Sequence, residues 1–76
     1  MKDLLEFIVK ALVDDPSEVE VIENEGDKTI IFELKVAKDD IGKVIGKKGR
    51  TANSMRTILT AVSTKKGKRA ELEILD

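Results

Sequence analysis

Val44-Ile45-Gly46-Lys47-Lys48-Gly49-Arg50 is the stretch from which the rest of the chain is read. Two glycines bracket two lysines, an apolar pair precedes them and an arginine follows. Glycine has no Cβ, so the backbone at Gly46 and Gly49 can take positive φ and lie close against a ligand. The residues after Gly49 predict a helix, whose first amide N–H groups and positive dipole end face the loop. Lys47, Lys48 and Arg50 add three positive charges within four positions. Together these suit a phosphate or a run of phosphates. A plain glycine turn with solvated lysines is the alternative, and the surrounding pattern decides between the two.

Downstream, Ala52, Met55, Ile58, Leu59 and Val62 form one apolar stripe of a helix over 50–63, about 120° wide. Thr64-Lys65-Lys66-Gly67-Lys68 reads as a basic turn, and Arg69–Leu75 as a strand with Ala70, Leu72 and Ile74 inward. Upstream, Asp39 is the expected N-cap of a short helix bearing Ile41, Val44 and Ile45. Gly42 within it either permits close approach to a neighbour or weakens the helix. Residues 28–36 predict a strand with Ile30, Phe32, Leu34 and Val36 on one side. With 18–24 it makes an antiparallel hairpin whose turn, Asn24-Glu25-Gly26-Asp27, puts Gly26 at a positive-φ position. Residues 3–13 predict a helix, stopped by Asp14-Asp15-Pro16-Ser17. Its apolar arc, Leu4, Leu5, Phe7, Ile8, Val9, Ala11 and Leu12, spans roughly 200°, more than one core-facing stripe requires. Either it packs on two sides or part of it meets another subunit. The order is αββααβ: one α+β domain over 1–76, a three-stranded sheet covered on one face by three helices.

The chain has 76 residues, no cysteine and no histidine. That excludes a disulfide framework, a cysteine metal site and the commonest general base. No metal or cofactor is expected. No apolar run approaches the ~20 residues of a membrane span, and Asp3, Glu6 and Lys10 interrupt any signal-peptide core; a cytoplasmic location is the default. Net charge is −1, but residues 1–36 carry −6, residues 37–69 carry +8 and residues 70–76 carry −3. Such polarisation predicts one basic face on an acidic body, the footprint of a polyanion partner.

A helix, Gly-x-x-Gly, helix unit beside a three-stranded sheet in this order resembles the type II KH domain. The loop Val44–Arg50, its continuation Thr51-Ala52 with Arg56, and the closing Leu72-Glu73-Ile74-Leu75-Asp76 carry the resemblance. With a length of one bare domain, the chain looks like the small stand-alone bacterial KH proteins of the KhpA type. Ala52 stands where many KH domains have a large aliphatic residue, which argues against a eukaryotic-type KH. The resemblance implies single-stranded RNA as ligand, and a role as RNA chaperone or post-transcriptional regulator. It also implies pairing, as a homodimer or a heterodimer with a Jag-like, KhpB-type KH protein.

On this reading the RNA backbone runs over Gly46, Lys47, Lys48 and Gly49, with Arg50 adding charge. Bases turn into an aliphatic groove formed by Ile41, Val44 and Ile45 and the strand at 30–36, whose backbone reads base edges. Plain core is the alternative role for Ile41 and Val44. Lys38, Lys43, Lys65, Lys66, Lys68 and Arg69 are general electrostatic support. Phe7 and Phe32, the only aromatics, both suit the core, so an aromatic stacking platform is excluded. A P-loop is excluded too. Only three residues separate Gly42 from Gly46, Lys48 stands where Ser or Thr is required, and no buried parallel strand precedes the loop. Asp39-Asp40 has no base or metal partner, so enzyme activity is not expected. A helix-turn-helix DNA binder and a protein-assembly module with secondary RNA binding remain as alternatives.

Overall fold

Residues 1–75 are described by a computed structural model. The elements are α1 (Lys2–Leu12), β1 (Glu20–Glu25), β2 (Thr29–Lys35), α2 (Ile41–Ile45), α3 (Arg50–Lys65) and β3 (Arg69–Leu75), with short 3₁₀ turns before β1, before α2 and before α3. The three strands form one sheet in the order β1-β2-β3. β1 and β2 are antiparallel with Val21 opposite Leu34, while β2 and β3 are parallel with Phe32 opposite Leu72. Parallel pairing demands a crossover, and α2, the loop and α3 supply it. The expected α+β fold is present.

Alternation in β2 sorts its side chains. Ile30, Phe32 and Leu34 are wholly buried under the helices, while Lys35 is exposed. Leu5 and Val9 of α1, with Ala52, Met55, Leu59 and Ser63 of α3, cover this face. On α3 the buried stripe therefore falls at 52, 55, 59 and 63. Ile58, expected in it, is instead exposed, and Val62 is half-buried at its margin.

Three further expectations are corrected, and the open choice at Gly42 is decided. Phe7 does not join the core: it is 75 % exposed, beside exposed Leu4, Ala11 and Leu12 on α1. The over-wide arc of α1 thus packs on one side only. Gly26 has no positive φ; its N–H donates to the Thr29 carbonyl at 2.8 Å and closes the hairpin without it. Gly42 approaches nothing closely, since a Cβ there would have no neighbour within 4 Å. Finally, Asp39 does not cap a helix. The turn over Lys38–Asp40 begins at Ala37 with no side-chain cap, and the buried carboxylate is that of Asp40.

Candidate nucleic-acid interface

The loop between α2 and α3 is built by positive φ at three of its four residues, Gly46, Lys48 and Gly49. Gly46 has φ 77° and ψ 173°, Lys48 has φ 58° and ψ 25°, and Gly49 has φ 75° and ψ 12°. A side chain at Gly46 is excluded by space as well as φ, because a Cβ there would lie 2.7 Å from Thr51 Cβ and 2.9 Å from its amide nitrogen. Lys48 accepts the left-handed region at a cost of about 1–2 kcal/mol. That conformation lets Gly49 N–H donate to the Gly46 carbonyl at 3.1 Å. The chain thereby turns into α3 with no side chain capping the helix. The Arg50 N–H donates to the Lys47 carbonyl, and the positive dipole end of α3 faces the loop. Lys47, Lys48 and Arg50 are all exposed, and none makes an ion pair among the described residues.

Other basic residues are engaged. Lys43 Nζ lies 3.0 Å from Asp14 and 3.4 Å from Asp40. Asp40, almost fully buried, also accepts the amide N–H groups of Asp14 and Asp15 at 3.2 and 3.0 Å. Burial pushes the Asp40 carboxyl up. The Asp14 and Asp15 amides and Lys43 more than offset this, so it lies below its ordinary value. Asp14 in turn holds the Lys43 ammonium above its ordinary value, against desolvation. This cluster fastens the segment after α1 to the start of α2. At the far end of α3, Lys68 and Lys66 approach Glu25 at 2.6 and 3.9 Å and hold its carboxyl below the usual range. The basic block therefore does not form one face. It divides into two clusters at opposite ends of a 16-residue helix, roughly 24 Å apart, and Glu25 pairs with Lys66 and Lys68 of the second.

The three aliphatic candidates separate. Val44 is wholly buried and belongs to the core, whereas Ile45 is 39 % exposed beside the loop. Ile41 is half-buried and lines an open groove with Val36, Lys35 and Leu75. The expected reading of base edges by the backbone of 30–36 is not available. β2 is the central strand, hydrogen-bonded on both sides, and the open edge nearest α3 belongs to β3. There Arg56 reaches across, donating to the Leu72 carbonyl at 3.4 Å and to Asn53 Oδ1 at 3.1 Å. The parallel β2–β3 pairing that makes β3 an edge has no single-residue signal. Thr51, which fills the space behind Gly46, was legible only as a polar residue in a first turn. α2 has five residues, barely more than one turn, and α3 is packed down against β3. That is not the exposed two-helix unit a helix-turn-helix reader needs.

Comparison with known proteins follows the same line. The family model described as KhpA/KhpB, KH domain matches residues 2–74. A Clostridium acetobutylicum protein named RNA-binding protein KhpA is 55 % identical over 75 residues, covering 99 % of this chain and 100 % of that protein. Proteins of the same name from Aquifex aeolicus and Chlamydia caviae are 53 % and 51 % identical over 76 residues, covering all of this chain and 96 % and 97 % of theirs. No solved structure matches. With its Gly-Lys-Lys-Gly loop set between α2 and α3 and its full-length likeness to these proteins, the chain belongs to the KhpA/KhpB family of KH domains.

Proposed function

We propose that this chain binds single-stranded RNA in the bacterial cytoplasm, as an RNA chaperone or post-transcriptional regulator. The RNA backbone lies over Gly46-Lys47-Lys48-Gly49, with phosphates on the loop and first-turn amides of α3 and on the Lys47, Lys48 and Arg50 charges. Ile45 and Ile41 supply the aliphatic contact to bases, and Val44 supports them from below. The observation that carries this reading is the loop itself, an uncapped helix N-terminus beneath three exposed cations with no ion-pair partner among the described residues. The name of these relatives, RNA-binding protein KhpA, supports it.

Pairing is part of the proposal, either with a second copy or with a KhpB-type KH protein. The exposed Leu4, Phe7 and Leu12 of α1 support a protein contact there.

Fluorescence anisotropy with short single-stranded RNAs, at several salt concentrations, tests the RNA reading. Affinity should fall with salt at a slope of roughly −0.7 per phosphate contact. Lys47→Asp with Lys48→Asp should abolish binding in a protein that circular dichroism shows to be folded. Equal binding by both proteins would make the loop a structural turn. A stable protein complex without RNA would favour an assembly module.

A further inference from the structure

We propose that the groove at the C-terminal ends of β2 and β3 is a base-reading subsite that prefers guanine, with Asp15 and Glu18 as its acceptors; this rests on the RNA-binding reading above. The open groove has a volume of ≈ 1060 Å³, with Val36, Ile41 and Leu75 as apolar lining. Its charged lining comes in two pairs, Asp15 with Glu18 from one segment and Lys35 with Lys38 from another.

The carboxylate wall is a built feature. Glu18 N–H donates to the Asp15 carbonyl at 3.2 Å in the 3₁₀ turn over Pro16–Glu18. Asp15 is the N-cap of that turn and Glu18 its last residue, and both line the groove. Ser17 Oγ donates to Asp15 Oδ1 at 2.6 Å, and the Asp15 amide is held by Asp40 at 3.0 Å. The wall is thereby tied to the residue that starts α2. Among the described residues none of the four charges has an ion-pair partner within 4.0 Å, whereas Lys43, Lys66 and Lys68 all do. Acceptors and donors therefore share one apolar groove without cancelling each other.

A planar ligand with apolar faces and both polarities along one edge satisfies that arrangement, and a nucleobase is such a ligand. Guanine matches best. Its adjacent N1–H and N2–H donors can meet a carboxylate, while O6 or N7 accepts from a lysine. Uracil sets carbonyl oxygens on both sides of a single N–H, and each would oppose a carboxylate. Cytosine and adenine offer one amino group each. The acidic rim also turns phosphates away and leaves them to the loop. Groove and loop lie at opposite ends of α2, whose five residues span about 7–8 Å, a distance RNA covers in a nucleotide or two.

The test is anisotropy with labelled octauridine and with the same oligomer carrying a single guanosine, adenosine or cytidine at each position in turn. Guanosine at one position should tighten binding about tenfold, and the other bases less. In Asp15→Asn with Glu18→Gln the guanosine gain should vanish. Affinity for octauridine should hold or rise, because two negative charges are gone. Glu18→Gln alone should lose part of the gain, with circular dichroism confirming the fold of both variants. Binding to every oligomer with no guanosine preference overturns this inference and leaves the RNA reading standing. A preference that survives in the double variant also overturns it. Failure of wild type to bind any oligomer overturns both.

Discussion

Thr51 occupies the space that a side chain at Gly46 would need. A Cβ built on Gly46 would approach Thr51 Oγ1 most closely of all, and would lie 2.7 Å from Thr51 Cβ. Gly46→Ala should therefore cost about 1–3 kcal/mol through its positive φ alone, with the clash in addition. The melting temperature should fall by about 4–8 °C for each kcal/mol. Adding Thr51→Ala should recover only part of the loss, because the φ requirement stays. A full recovery in thermal denaturation would show that φ at Gly46 carries no strain.

Lys48 should show stability and binding moving in opposite directions. Its φ of 58° is uncomfortable for lysine by about 1–2 kcal/mol, and glycine removes that strain while adding about 0.5–1 kcal/mol of unfolded-chain entropy. Lys48→Gly should leave stability unchanged or raise it by up to ~1 kcal/mol, yet weaken RNA binding through the lost charge. Denaturant titration and anisotropy on one preparation would check both.

Asp40 should shape the acid limb of stability. Its carboxyl lies below the ordinary aspartate value in the folded protein, so its contribution is present above about pH 4 and is lost as pH falls through the folded value. Lys43 is shifted upward, so its contribution holds below about pH 10.4 and is lost as pH rises through the folded value. Melting temperature against pH should therefore fall at both ends. Asp40→Asn should lower the plateau and flatten the acid side; an unchanged acid slope would show that other carboxylates govern it.

Val44 and Ile41 should part company. Val44 is wholly buried, so Val44→Ala should cost about 2 kcal/mol and leave RNA affinity alone once folding is restored by temperature. Ile41→Ala, at a half-buried position on the groove, should cost less stability and weaken RNA binding. Measuring both quantities for both variants separates core from contact.

Phe7 should matter for association and little for folding. At 75 % exposure its replacement by serine should stay within about 0.5 kcal/mol of wild-type stability. Sedimentation velocity should show wild type associating with concentration and Phe7→Ser remaining monomeric. A wild type that is monomeric throughout would leave α1 to a different protein partner.

Much of this molecule is legible in the order of its residues. Strict alternation from Ile30 to Val36, the turn at Gly67 and the glycine pair at 46 and 49 determine their elements through local sterics. The rest depends on distant partners. Asp39 and Asp40 look equivalent in sequence, and only the return of Asp14 and Asp15 makes Asp40 the buried one. Phe7 carries the pattern of a core residue, but the sheet is too narrow for α1 to bury both of its flanks. Val44 and Ile41 lie on one short helix, and which of them faces inward follows from how α2 settles over the sheet. The basic block from 37 to 69 is continuous in sequence, yet a straight helix holds its halves apart.

That separation sets how the protein can hold a long RNA. On the proposed reading one chain offers a strand one phosphate grip, at the loop, because Glu25 engages Lys66 and Lys68 at the other end of α3, and a single grip lets go readily. Two chains joined through α1 would present two such grips at a fixed spacing. Once the first is engaged, the second meets its stretch of RNA at an effective concentration in the millimolar range. Avidity of this kind selects unpaired RNA long enough to bridge both grips and passes over shorter fragments, with no further base contact required.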